Sequence, residues 1–107
     1  INTMKLDRKY TDKQEREVED KLFEAIKTLD GVEEYRSFFQ DILTPAEFQA
    51  IKDRWAVAAL LYEGYTYREI NTISGVSITT VARVARFISN GSGGYKLALE
   101  RIKKNNE

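Results

Sequence analysis

Cysteine and histidine are both absent from the 107 residues. Without cysteine there is no disulfide framework and no thiolate nucleophile. A zinc site of the common His/Cys kind has no ligands here. A Ser-His or Cys-His catalytic pair has no members. The acidic residues are scattered and form no Asp-x-Asp loop, so neither a metal nor another cofactor is expected. Catalysis would have to rest on carboxylates, lysine or tyrosine, and the spacing brings no such pair into a convincing pocket. The expectation is therefore a protein that is not an enzyme. Proline occurs once, and no β-branched run alternates with polar residues over strand length, so the reading is all-α. No apolar run approaches the ~20 residues needed to span a bilayer, and no signal peptide is visible. The expected location is the cytoplasm, with no membrane partner.

What is present is the composition of a folded domain. Hydrophobic residues make up 42% of the chain and charged residues 32%, well away from the profile of disorder. Net charge is zero, but the charges are unevenly placed. Residues 1–64 carry 10 basic against 14 acidic side chains, whereas residues 65–96 carry Arg68, Arg83, Arg86 and Lys96 against Glu69 alone. No acidic residue falls between Ile70 and Glu100. A basic window inside a neutral chain is a local electrostatic footprint for a polyanion.

Six helices are expected. Residues 1–10 show no cap and no period and are read as a flexible arm; residues 11–104 are read as one helical domain. The first helix runs from about Asp12 to Leu29, with Thr11 or Asp12 as cap and a stripe through Val18, Leu22, Ala25, Ile26 and Leu29. The second, Val32 to Ile42, has an aromatic face built on Tyr35, Phe38 and Phe39. Thr44, Pro45 and Glu47 form a capping box with proline at the first helical position. The third helix then continues to Glu63, apolar over most of its circumference. Thr66 and Glu69 repeat the box before a short helix, Tyr67 to Ile73. Ser77 caps the fifth, Ile78 to about Ser89. "NGSGG", Asn90 to Gly94, separates it from a sixth, Tyr95 to Lys103. The stripes of the terminal helices exceed what one chain's centre can cover, which implies that two copies pack together.

Residues 66–89 have the pattern of a helix-turn-helix. Gly75 supplies the tight turn, while Ile70, Val76, Val81 and Val84 lock the two helices together. The second helix then presents Ser77, Ile78, Thr79, Thr80 and Arg83 outward. Small side chains permit close approach to a major groove, hydroxyls reach bases or phosphates, and methyl groups meet thymine methyls. Arg68, near the start of the first helix, is placed for the phosphate backbone. The alternative is a plain helical hairpin whose small polar residues only cap and whose arginines only solubilise. For Arg54 the alternative to a binding role is an intrahelical ion pair with Asp53 or Glu47.

"LTPAEFQAIKDRWAVAALLYEGYTYREINTISGVSITTVARVARFI", Leu43 to Ile88, resembles the Trp repressor family, and in particular the TrpR-related proteins of the YerC/YecD type. The "LFEAI" of Leu22–Ile26 and the Tyr35–Phe39 segment extend the likeness. The resemblance implies a six-helix fold assembled as an intertwined homodimer and a DNA-binding transcriptional regulator, a repressor. By position it assigns DNA contact to Arg68, Asn71, Ser77, Ile78, Thr79, Thr80 and Ala82. Asn71 stands where the Trp repressor has lysine and Ala82 where it has threonine, so base preference should differ. It also marks a candidate effector pocket at Leu43, Thr44, Arg54, Arg83, Val84 and Phe87, where the family sandwiches an indole between two arginines. Val84 replaces a glycine beside that indole, Phe87 a serine that meets the ligand, and Asp41 an apolar wall residue. Bulk added to a snug pocket costs roughly 1–3 kcal/mol or excludes the ligand. The expectation is that Val84 and Phe87 fill the cavity and that tryptophan is not the effector. A second function stays open: a helical adaptor for another protein, with a degenerate helix-turn-helix.

Overall fold

The computed structural model describes residues 9–106. The arm expected over residues 1–10 lies outside them, except for Lys9 and Tyr10, which are exposed and non-helical. Six helices follow: α1 (Asp12–Lys27), α2 (Val32–Ile42), α3 (Pro45–Tyr62), α4 (Tyr67–Ser74), α5 (Ile78–Asn90) and α6 (Gly94–Asn105). No strand occurs among the described residues. The helices fall into two units, one ending at Ile42 and the other beginning at Leu43.

In the first unit, Thr11 Oγ1 accepts the Gln14 N–H at 3.2 Å and Gln14 Oε1 accepts the Thr11 N–H at 2.8 Å, a reciprocal cap. α1 stops two residues short of the expected Leu29. The Thr28 hydroxyl takes the Ala25 carbonyl at 2.7 Å, and the Thr28 and Leu29 N–H groups turn back to Ala25 and Ile26. In α2 the Phe38 and Phe39 rings meet edge to face, with centroids 5.5 Å apart. Neither helix fully buries a side chain. Val18, Leu22, Phe23, Val32, Tyr35 and Ile42 all remain exposed.

The second unit is organised by α3, which packs against α4, α5 and α6. That explains a helix apolar on so many sides: it has three neighbours to satisfy. Its start is the expected capping box, with Thr44 and Glu47 exchanging bonds of 2.8 and 3.1 Å and Pro45 in the first turn. The core consists of Val57 and Ala58 of α3, Ile70 of α4, Val81 and Val84 of α5, and Leu99 of α6. Trp55, Leu60, Leu61, Val76, Ile88 and Tyr95 pack around it, half-buried. Among the described residues these six core side chains are the only buried hydrophobics.

Candidate nucleic-acid interface

α4 and α5 meet through a turn held at several points. Thr66 and Glu69 cap α4 reciprocally at 2.9 and 3.2 Å. At its far end Ser74 Oγ donates to the Ile70 carbonyl at 2.6 Å and accepts the Val76 N–H at 3.1 Å. Gly75 takes φ +75°, and its N–H bonds the Asn71 carbonyl at 2.8 Å. A side chain at that φ is strained, so the glycine is required by the backbone. Asn71 Nδ2 then donates to the Val76 carbonyl at 2.8 Å. Ser77 caps α5, its Oγ accepting the Thr80 N–H at 3.2 Å. The four expected locking residues are where the spacing put them: Ile70, Val81 and Val84 are buried and Val76 is half-buried against the same cluster.

The corner leaves most of its assigned side chains exposed. Arg68, Ser77, Ile78, Thr79, Ala82 and Arg83 are exposed, while Asn71 and Thr80 are half-buried. No acidic residue lies between Ile70 and Glu100, and among the described residues neither Arg68 nor Arg83 has a carboxylate within ion-pair distance. A guanidinium group without a carboxylate partner on each of two capped helices is suited to phosphate oxygens.

Beside the corner runs an open, largely apolar cleft of about 640 Å³. Arg54 and Trp55 of α3, and Arg83, Val84 and Phe87 of α5, form its long walls; Gly91, Ser92, Gly94 and Tyr95 close one end. The ion pair considered for Arg54 is not made. Glu47 is held in the α3 cap and Asp53 accepts a bond from Gln49 at 2.9 Å. Arg54 is exposed with no acidic partner among the described residues. Gly91 has a steric reason to be glycine, since a Cβ there would lie 2.4 Å from the Phe87 carbonyl oxygen.

The sequence pattern of the Trp repressor protein family matches residues 17–103. The chain belongs to the Trp repressor family. It is 41% identical over 85 residues to the uncharacterized protein YerC of Bacillus subtilis (strain 168), covering 79% of this chain and 82% of YerC. A crystal structure of a Trp repressor candidate from Staphylococcus aureus superposes with a TM-score of 0.78 at 35% identity, covering 88% of this chain and 96% of that one. A TrpR-like protein from Eubacterium eligens ATCC 27750 gives 0.79 at 33% identity, over 87% and 96% of the two chains. The all-α, six-helix, YerC-type reading therefore stands.

Seen as a Trp repressor family member, the chain divides its assigned residues between two features. Arg68, Ser77, Ile78, Thr79 and Ala82 sit on the exposed corner; Arg54, Val84 and Phe87 line the cleft; Arg83 is exposed on α5 and also forms a cleft wall. Leu43 and Thr44 are not part of the cleft lining in the single chain. In the single chain Val84 and Phe87 both line the cleft, which stays open. Val84 is 2% exposed and belongs to the core as well as to the cleft lining. Phe87 is 51% exposed, with the Arg86 guanidinium 5.9 Å from its ring centre. Trp55, Gly91, Ser92, Gly94 and Tyr95 were not among the expected wall residues. For Gly91, Ser92 and Gly94 the "NGSGG" break was the one signal in the sequence, because a loop poor in side chains leaves space beside the helix it follows.

Proposed function

We propose that the protein is a sequence-specific DNA-binding transcriptional regulator, a cytoplasmic repressor that acts as a homodimer through residues 66–89 and does not respond to tryptophan. The observation that carries this reading is the corner itself. A short helix, a left-handed glycine and a second helix are fixed by side-chain bonds, and the exposed start of the second helix carries no acid. The second helix of such a unit lies in the major groove with its N-terminal residues toward the bases. Membership of the Trp repressor family supports it. So does the shortage of core: a chain whose described part buries only six hydrophobic side chains has apolar surface to spare for a second copy.

Selection of duplexes from a random pool, followed by titration at several salt concentrations, tests this. Recovered sites should be two-fold symmetric, with half-sites about 34 Å apart or a multiple of it. The logarithm of affinity should fall with that of salt at about 0.9 per phosphate neutralised. Arg68→Ala should weaken all duplexes alike and flatten that slope by about 0.9. If no duplex is retained even at low salt, the helix-turn-helix is degenerate and the protein is an adaptor for another protein.

Tryptophan is set aside because Val84 and Phe87 add bulk where the family has a glycine and a serine, which narrows the space for an indole. Calorimetric titration with L-tryptophan should show no saturable heat at millimolar ligand. A dissociation constant in the micromolar range would return tryptophan to the switch.

A further inference from the structure

The base-facing end of α5 is poor in hydrogen-bonding groups. Between Thr72 and Ala82 there is no arginine, lysine, asparagine or glutamine, the side chains that pair in bidentate fashion with guanine or adenine. Two of the polar side chains that are present are already engaged. Ser77 Oγ accepts the Thr80 N–H at 3.2 Å and donates its only proton to Thr80 Oγ1 at 3.1 Å. Asn71, one turn back on α4, spends its amide nitrogen on the Val76 carbonyl. What the tip offers is hydrocarbon. Ile78 is 46% exposed at the first position of α5, and Thr79 and Ala82, each with a methyl group to offer, are exposed residues on the same helix. A half-exposed isoleucine at the start of a helix in a stretch without acidic residues leaves an apolar contact there for a polyanionic partner. In the major groove the base-edge group of that kind is the thymine C5 methyl.

We infer that this protein reads its half-site mainly through base C5 methyl groups packed against Ile78, Thr79 and Ala82, with hydrogen bonds to bases in a minor role. The inference rests on the DNA-binding reading above and goes beyond it by naming what is read. In this reading Arg68 and Arg83 meet phosphate, which carries no sequence information, and discrimination falls to the methyl contacts. Cytosine methylated at C5 carries the same group at the same place, and the tip should accept it in place of thymine.

The test uses the full-length protein and duplexes recovered from the random pool. Thymines in the half-site are replaced one at a time by uracil, which removes only the methyl, at constant salt. At the contacted positions each replacement should weaken binding about fourfold, the equivalent of one buried methyl group. Cytosine should weaken it further, and 5-methylcytosine should recover part of that loss. Ile78→Ala, a change at an exposed position, should lower affinity and abolish the uracil effect at one position while leaving the others. Sequence-selective binding with no loss on uracil substitution overturns the methyl reading and leaves DNA binding standing. Uracil effects that persist unchanged in Ile78→Ala, Thr79→Ser and Ala82→Gly overturn the assignment of the reading residues. Failure to retain any duplex overturns both.

Discussion

Ile70→Ala is expected to lower stability by about 3–5 kcal/mol, the upper part of the range for deleting a buried branched side chain. Ile70 is 0% exposed and is the only fully buried residue of α4. That helix has 8 residues, well below the ~12–15 at which an isolated helix becomes even marginally stable in water. Its caps fix its ends, but its place against α3 and α5 depends on this one side chain. For a domain of this size the loss corresponds to a melting temperature lower by roughly 15–30 °C. The melt has to be followed by circular dichroism at one fixed protein concentration, because the stability of an associating protein depends on it. Arg68 and the turn are both carried by α4, so DNA affinity should fall by more than tenfold even well below the melting point. A melt within a few degrees of the parent protein would mean that Ile70 is not the anchor described.

The helix-turn-helix was legible in the sequence because its constraints are local. The boxes at Thr44–Glu47 and Thr66–Glu69 each need two side chains three residues apart, and the Gly75 turn needs a single residue type. Ile70, Val81 and Val84 follow from helical period plus that turn. Leu99 was visible only as one of several apolar positions on α6, since its burial depends on where α6 lies against α3 and α5. Asn71 shows a different limit. Family position assigns it to DNA, and in the structure its amide also closes the turn; sequence spacing alone does not reveal that local bond. The cleft was half legible. Arg54, Arg83, Val84 and Phe87 were placed on it by family position, but its openness depends on the path of residues 91–95, which no periodicity fixes. The largest gap concerns α1 and α2. Their stripes were plain in the sequence, and in the single chain they remain uncovered; periodicity marks an apolar face without naming what covers it.

That last point has a sharp consequence in the double variant Val18→Lys, Leu22→Lys. Both residues lie on α1, 48% and 36% exposed in the single chain. If the protein acted as a monomer, two exposed apolar residues replaced by good helix formers would change stability by no more than about 0.5 kcal/mol each. In the proposed homodimer the same stripe is buried against the partner, and each lysine would bring an unpaired charge into an apolar contact. The expected result is a shift from two-chain to one-chain mass in size-exclusion chromatography with light scattering at micromolar protein. A single chain engages one half-site and loses the gain from engaging both at once, so affinity for a two-half-site duplex should fall by roughly 10²–10⁴. The choice of lysine makes the test conservative: added positive charge raises general attraction to DNA, so a loss of affinity cannot come from electrostatics. Two-chain mass and undiminished affinity in the variant would remove α1 from the interface and leave its exposed stripe to some other partner.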